Sequence, residues 1–231
     1  MPGGPVVAMT PAWNEEGNIG HVIADIPRTL CHHVVVVDNA SSDRTAAVAQ
    51  QAGAIVVKQP RRGYGYACAA GVQCAFALGA GVVVFLDGDY SDYPAEMPRV
   101  VGPILEGHAD LVIGSRLKAG RLEPGALPAH AIFDNRLIAA IRRLRFGVGV
   151  SDLGPFHAIR AEALRDLRLR EMTYGWTVEM IVKAARRRYR IVETPVSYRR
   201  RLSGESKVSG NLRASIKAGG RILAVTLRYA F

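Results

Sequence analysis

The stretch FLDGDYSDYP, residues 85–94, completes the apolar run GVVVFL and carries three carboxylates, Asp87, Asp89 and Asp92. The apolar run predicts a buried strand, and the acids stand where that strand leaves the core. Alternate residues of an extended segment point to the same side, so Asp87 and Asp89 can face one site. Such carboxylates can coordinate a hard divalent cation, or they can simply cap the next turn. Neighbouring strand ends favour the cation, because Asn14 and Glu15 follow the first strand and Asp38 ends the second.

Outward from this stretch, the first half of the chain alternates apolar runs with helical patterns. Ile19, Val22, Ile23 and Ile26 fall on one helical face, and a small-residue helix is predicted from Gly65 to Leu78. Strands alternating with helices at this spacing predict an α/β fold with an open, mostly parallel sheet and helices on both faces. Ligands of such sheets bind at the carboxyl ends of the strands. The predicted strands are PVVAMT, HVVVVDN, AIVVK, GVVVFL and ADLVIGSR.

The second half is less regular. RIVETPVSY predicts the last strand, and Pro195 favours an edge position because proline cannot donate a ladder hydrogen bond. Without a linker or repeat, we predict a single domain over 1–231, made of two halves at 1–115 and 116–231. The other predicted elements are a helix in IFDNRLIAAIRRLRF, a short strand in FHAIR, a helix in TVEMIVKAARRR and a basic amphipathic helix near the C-terminus.

Charge divides along the same line. The chain has a net charge of +10, but residues 1–115 hold 6 Lys and Arg against 11 Asp and Glu, whereas residues 116–231 hold 24 against 9. A basic half indicates nucleic acid, an anionic membrane or a phosphorylated substrate, and charge alone does not choose among them. The 3 cysteines form no C-x-x-C pair and favour a reducing, cytoplasmic setting, and no signal peptide or membrane span is predicted.

Four motifs in the first half and four in the second carry a resemblance to a known family. The chain resembles family 2 glycosyltransferases of the GT-A fold, and within them the branch of dolichyl-phosphate mannose synthase and bacterial polyprenyl-phosphate sugar transferases. Each motif alone is weak, but together they follow one order along nearly the whole chain. They are PAWNEEGNIG, VVVVDNASSDRT, RRGYGYACAAG and FLDGDYSDYP, then GSR at 114–116, SDLGPFHAIR at 151–160, YGWTVEM at 174–180 and GESKVSG at 204–210.

The resemblance implies that the half at 1–115 binds a donor, a nucleoside diphosphate sugar, and that the half at 116–231 binds the acceptor. Asp87 and Asp89 match the family's D-x-D aspartates, which coordinate Mg²⁺ or Mn²⁺ on the donor diphosphate. Trp13 stands where tyrosine is usual, as an aromatic wall for the base or as plain core filling. Ser91 stands where the synthases have glutamine, so Asp92 is either a third metal ligand or a turn residue. The remaining residues implied at the nucleotide are Pro11, Glu15, Asp38, Arg62, Gly63 and Gly88.

The same resemblance implies the catalytic and acceptor residues. Arg116 matches a position near the sugar and the acceptor phosphate, and Asp152 one close to the acceptor, where it acts as a general base or orients Arg116. Glu179 is the alternative base, which only a hydroxyl acceptor needs. A basic loop that closes over the donor diphosphate is expected from Arg199, Arg200, Arg201, Ser206 and Lys207, and His130, Asn135 and Arg136 match the acceptor positions only loosely.

We therefore predict a metal-dependent hexosyltransferase that acts by inversion. The donor is UDP-glucose in preference to GDP-mannose, and the acceptor is a polyprenyl phosphate or another anionic lipid. Two basic amphipathic stretches favour peripheral contact with the inner face of the membrane, although each also fits a core-facing helix. The alternatives are a soluble phosphorylated or hydroxylated acceptor, a nucleotidyltransferase and a basic nucleic-acid-binding module. AWNEEGN replaces the Gly-rich loop of nucleotidyltransferases, and the arginine runs lack interleaved aromatics, so no nucleic-acid partner is expected.

Overall fold

In a computed structural model, residues 3–118, 122–126 and 150–204 are described, together with 220, 221, 224, 225 and 228. The predicted helix in IFDNRLIAAIRRLRF lies outside the described residues, and so does most of the predicted C-terminal helix. The candidate residues His130, Asn135, Arg136, Ser206 and Lys207 also lie outside them.

Seven described strands form one sheet in the order β3-β2-β1-β4-β6-β5-β7. β6 runs antiparallel to β4 and β5, and the other pairings are parallel. The open, mostly parallel sheet predicted from the sequence is confirmed. The strands are β1 Val6–Ala12, β2 His33–Asp38, β3 Ile55–Lys58, β4 Val82–Phe85, β5 Leu111–Ser115, β6 His157–Arg160 and β7 Ile191–Pro195.

Helices cover both faces of the sheet. Successive strand residues serve opposite faces, so Val34 and Val36 pack with α1, α2 and α4, whereas Val35 and Val37 pack with α3, α5 and α6. This explains why the strand runs are apolar throughout. The described helices are α1 Ile19–Asp25, α2 Thr45–Gln51, α3 Tyr64–Ala77, a 3₁₀ turn Pro94–Glu96, α4 Met97–Leu105, α5 Ala161–Leu167 and α6 Trp176–Arg186.

Glycines end two of these helices as the sequence requires. Gly53 after α2 and Gly79 after α3 have φ of +82° and +73°, a left-handed conformation that glycine adopts at little cost. The chain therefore turns sharply back to β3 and β4, which brings the carboxyl ends of the parallel strands to one edge. Within the described part of the chain, no helix is long and apolar enough to cross a membrane.

The C-terminal residues contact the domain through Val225. Its side chain is 2% exposed and packs with Val178 and Val182 of α6 and with Leu153. Arg221 also donates to both carboxylate oxygens of Glu171, at 3.2 and 2.7 Å. These contacts place Val225 against α6 and Arg221 against the segment before it.

Candidate active site

A cavity of about 580 Å³ opens at the carboxyl ends of β1, β2, β4, β5 and β7. Several elements contribute, because parallel strands release their loops at the same edge. Ten of the predicted site residues line it: Pro11, Trp13, Glu15, Arg62, Gly63, Asp87, Gly88, Asp89, Arg116 and Arg201. Their roles in binding and transfer stay predictions.

The two aspartates of the D-x-D motif lie in the floor of this cavity. Burial raises the pKa of Asp87 well above its usual range, and the nearby Asp89 and Asp92 raise it further. Gly88 lets the turn approach β1 closely, since a Cβ there would lie 3.2 Å from the Pro11 carbonyl oxygen. Neighbouring carboxyl groups are therefore crowded at one point of the cavity, where a bound cation would relieve their repulsion and favour their charged forms.

Asp92 holds the turn that follows the D-x-D motif. Its Oδ2 accepts the backbone N–H of Asp87 at 3.2 Å, and Asp92 pairs with Tyr198 in an isolated β-bridge. Burial first, and Asp89 next, raise its pKa to about 7. Its buried Oδ1 has no hydrogen-bond partner. These contacts favour the turn role for Asp92 over the role of third metal ligand.

One part of the cavity combines an aromatic surface with a carboxylate. The guanidinium carbon of Arg62 lies 3.3 Å from the centroid of the Trp13 ring, a cation–π contact at the cavity wall. Arg201 donates to both oxygens of Glu15 at 2.8 and 2.7 Å. Two arginines thus contact the two groups that the resemblance assigns to base and ribose.

Arg116 reaches the cavity from the end of β5 and is fixed by Asp152. Its Nε and Nη2 donate to the two carboxylate oxygens at 2.8 and 2.7 Å, and its backbone N–H adds a third bond at 2.8 Å. Asp152 is fully buried. Burial alone would raise its pKa, but the Arg116 guanidinium lowers it below its usual range. Of the two roles predicted for Asp152, the geometry favours orienting Arg116 over acting as a base.

Five of the predicted residues that the structure describes do not line the cavity, namely Asp152, which holds Arg116, and Asp38, Glu179, Arg199 and Arg200. Glu179 is fully buried, and its Oε2 accepts the backbone N–H groups of Arg170 and Glu171 at 2.8 and 2.6 Å, so it cannot serve as the predicted base. Asp38 accepts the backbone N–H of Ser41 at 3.2 Å instead of lining the pocket. Sequence patterns did not indicate either orientation, because Glu179 lies in a family motif and Asp38 lies at a strand end.

Arg199 lies outside the cavity and supports the turn that carries the D-x-D motif. Its guanidinium donates to the carbonyl oxygens of Tyr90 at 2.7 Å and Asp92 at 3.2 Å. It also stacks on the rings of Tyr90 and Tyr93, at 3.5 and 4.1 Å from their centroids. These contacts occupy the Arg199 guanidinium, which was expected to close over the donor diphosphate. Arg200 likewise points away, donating to the Pro124 carbonyl oxygen at 2.7 Å.

Several cavity residues were not predicted. Asn39, next to Asp38, accepts the Gly63 backbone N–H at 2.9 Å and donates to the carbonyls of Gln59 and Arg61, which fixes the loop before α3. An asparagine directly after a strand was the available signal. The others are Ala12, Tyr64, Ala67, Leu153, Pro155, Tyr174, Thr177, Val178 and Tyr198.

The donor set fits a divalent cation only in part. Among the described residues, no group of three or more His, Cys, Asp or Glu side chains is arranged to hold a metal. Asp87 and Asp89 supply the hard oxygen ligands that Mg²⁺ and Mn²⁺ prefer. Such a pair suits a metal that completes its shell with the oxygens of a diphosphate.

Comparison with known proteins identifies the family. Residues 8–168 match the family described as Glycosyl transferase family 2. The chain belongs to this family. The glycosyltransferase is 39% identical over 218 residues to an uncharacterised glycosyltransferase of Mycobacterium tuberculosis, covering 94% of this chain and 96% of that one. It is 36% identical over 199 residues to the dolichyl-phosphate hexose transferase of Haloferax volcanii, covering 85% and 83%.

A solved structure confirms the fold of this glycosyltransferase as GT-A. Glucosyl-3-phosphoglycerate synthase from Mycobacterium tuberculosis, in complex with Mn²⁺, UDP and glucosyl-3-phosphoglycerate, superimposes with a TM-score of 0.78 at 24% identity. The alignment covers 99% of this chain and 80% of the synthase. The family assignment supports the predicted enzyme class over a nucleotidyltransferase or a nucleic-acid-binding module.

Proposed function

We propose that this glycosyltransferase transfers a hexose from a UDP-sugar, UDP-glucose in preference to GDP-mannose, to a lipid-linked phosphate. One observation carries the proposal. The carboxylates of Asp87 and Asp89, the aromatic surface of Trp13 and the guanidinium of Arg116 all line a single cavity. The cavity therefore combines two carboxylates that suit a metal-bound diphosphate with a guanidinium that suits an anionic acceptor.

Asp87 and Asp89 would hold Mg²⁺ or Mn²⁺ together with the donor diphosphate. A bound cation supplies neutralisation of the charge that develops on the leaving diphosphate. A solved synthase of the same fold contains Mn²⁺ and UDP, which supports this choice of cofactor and base. Trp13 and Glu15 would hold the base and the ribose, and Arg201 would turn from Glu15 to the diphosphate.

The acceptor end favours a group that is already ionised. The carboxylates that line the described part of the cavity are Glu15, Asp87 and Asp89. Glu15 is paired with Arg201, and the two aspartates are assigned to the cation. A hydroxyl acceptor needs a base to take its proton, whereas a phosphate needs only positioning, for which Arg116 is suited.

The rim of the cavity favours a lipid. In the described part of the chain, four large hydrophobic side chains are exposed, and three of them either line the cavity or neighbour a residue that does. Tyr174 lines the cavity, Leu202 follows Arg201, and Leu122 pairs with Tyr198. A water-soluble acceptor gives no reason for an apolar rim. The name of the Haloferax volcanii relative, a dolichyl-phosphate hexose transferase, agrees with a lipid phosphate.

The donor proposal is tested by thermal unfolding with UDP-glucose, UDP-galactose, UDP-N-acetylglucosamine and GDP-mannose, each with and without Mn²⁺. A ligand at about 100 times its Kd stabilises by about 2.7 kcal/mol, which raises Tm by roughly 5–10 °C for a chain of this size. We expect that rise with UDP-glucose and Mn²⁺ together. Asp89→Ala should abolish it, whereas Glu106→Gln, at an exposed acid remote from the cavity, should keep it. A rise that persists without metal and in Asp89→Ala would contradict the metal role.

The acceptor proposal needs a separate assay. Radiolabelled UDP-glucose is offered with either a polyprenyl phosphate in detergent or phosphoglycerate in buffer. We expect label in the organic phase with the lipid. Label transferred only to phosphoglycerate would replace the lipid by a soluble phosphorylated acceptor and leave the donor site as proposed.

A further inference from the structure

Glu193 lies behind the Arg116–Asp152 pair and contacts no part of the cavity that the structure describes. It stands on the edge strand β7, where it pairs with Ile113 of β5. Its side chain is 3% exposed. A buried glutamate on an edge strand needs a reason, because burying a carboxylate is costly unless its oxygens are hydrogen-bonded.

One oxygen of Glu193 holds the segment that carries Asp152. Its Oε1 accepts the Ser151 backbone N–H at 2.9 Å, the Ser151 hydroxyl at 2.8 Å and the Asp152 backbone N–H at 3.1 Å. Three donors on a single oxygen fix both the position and the direction of this peptide. The Asp152 carboxylate starts from that peptide, so its orientation toward Arg116 depends on Glu193.

The other oxygen, Oε2, accepts no hydrogen bond but forms an ion pair with the segment that carries Arg116. Oε2 lies 3.0 Å from the ammonium of Lys118, two residues after Arg116. The Ser115 hydroxyl accepts the Lys118 backbone N–H and lies 3.2 Å from the Ser151 hydroxyl. One carboxylate therefore ties together the two chain segments whose side chains form the cationic point of the cavity.

We propose that Glu193 is a positioning residue that fixes the Arg116–Asp152 pair in the orientation required for acceptor binding. The part concerning the acceptor rests on the proposed function; the part concerning the orientation of Arg116 does not. A carboxylate is required, because an amide would place N–H donors against the Lys118 ammonium or against the three N–H and O–H donors. Glu193→Gln preserves the shape and removes only this capacity.

The orientation is measured without substrate, through hydrogen exchange of the Arg116 Nε–H followed by NMR, with the resonance assigned from Arg116→Lys. We expect exchange at least about tenfold faster in Glu193→Gln, since the hydrogen bond to Asp152 opens more often. Glu162→Gln is the control of the same chemical type at an exposed position, and it should leave exchange unchanged. Unchanged exchange in a folded Glu193→Gln variant would overturn the proposal.

Kinetics then separate positioning from general damage. A misplaced acceptor group costs about 10- to 100-fold in acceptor kcat/KM, while KM for the UDP-sugar should change less than about twofold. The double variant Glu193→Gln with Arg116→Lys should be no slower than Arg116→Lys alone, because both act through one guanidinium. Equal losses for donor and acceptor, or additive losses in the double variant, would assign Glu193 a merely structural role. Full activity of Arg116→Lys would instead overturn the proposed function of Arg116.

Discussion

Burial decides the charge of individual residues beside the cavity, and His157 shows this most clearly. The ring is fully buried, stacks on Phe85 with centroids 4.7 Å apart, and lies 3.2 Å from the Gly154 carbonyl oxygen through Nδ1. Its Nε2 has no hydrogen-bond partner. Burial lowers the pKa of His157 to about 4, so the folded protein holds a neutral imidazole at neutral pH.

This neutral imidazole predicts a loss of stability in acid. Below pH 6.5 the unfolded chain protonates His157 while the folded chain does not, so the free energy of unfolding falls from pH 6.5 to about 4 and levels off below it. Between pH 7 and 4.5 this should remove roughly 2.5 kcal/mol from the wild type.

The measurement is urea unfolding of the wild type and His157→Gln at both pH values. The raised pKa values of Asp87 and Asp92 make the free energy of unfolding rise as the pH falls, but this contribution is the same in the wild type and in His157→Gln. The variant should lose about 2.5 kcal/mol less than the wild type. His108→Gln, at an exposed histidine, should behave as the wild type does. Equal slopes for wild type and His157→Gln would contradict a neutral buried His157.

Single residues also show where sequence patterns were sufficient for the site. Asp87 and Asp89 were predictable as cavity residues because both follow directly after a buried parallel strand, although they lie in the turn after β4 and not in an extended segment. Asp38 and Asn39 differ by one position, and only the path of the loop decides that Asn39 contacts Gly63 while Asp38 turns to Ser41. That path depends on tertiary packing, which local spacing does not encode.

At the scale of elements, the buried parallel strands were predictable and the later ones less so. The strand predictions for β1 to β5 agree with the structure, because short apolar runs rich in β-branched residues between turn signals fit little else. Pro195 was expected on an edge strand, and β7 is at the edge of the sheet. The seven-residue helix α5 was not predicted, nor was the antiparallel insertion of β6 between β4 and β5. Short elements carry few periodic positions, so their packing partners decide them.

Helix α3 packs so closely against residues 171–172 that one added methyl group should destabilise the protein. A Cβ on Gly65 would lie 2.4 Å from the Glu171 carbonyl oxygen and 2.5 Å from the Met172 Cα, both backbone atoms. Gly65→Ala should therefore lower the free energy of unfolding by about 1–3 kcal/mol. Gly102 of α4 meets only the Glu106 side chain, at 3.7 Å.

Gly102→Ala is the matched substitution for this test. Alanine is about 0.5–1 kcal/mol better than glycine inside a helix, so this variant should equal or exceed the wild type in stability. Urea unfolding of the three proteins compares the two sites. Equal effects of the two substitutions would show that the contact between α3 and residues 171–172 is loose.

The whole molecule joins the two halves of unequal charge at one cavity. Asp87 and Asp89 come from the acidic half, whereas Arg116 and Arg201 come from the basic half. The sheet itself interleaves them, since β6 of the second half lies between β4 and β5. A donor that carries a cation and an acceptor that carries negative charge would then meet at the boundary between the halves. The division into donor and acceptor halves stays a prediction.

The distribution of exposed hydrophobic side chains gives the last prediction, which concerns the whole surface. Leu202 is 55% exposed and follows Arg200 and the cavity residue Arg201 in the chain, whereas Ile55 is 38% exposed on β3 at one edge of the sheet. Apolar side chains beside cations are typical of surfaces that contact anionic lipids. If this surface docks on the bilayer, Leu202→Glu should reduce co-sedimentation with vesicles of phosphatidylglycerol and phosphatidylethanolamine by about fivefold or more. The variant loses an apolar side chain that inserts among the lipids, and it adds a negative charge. Ile55→Glu makes the same change in charge away from this surface and should bind as the wild type does. Equal binding of all three proteins, or an equal loss in both variants, would contradict docking through this surface and would favour the soluble acceptor.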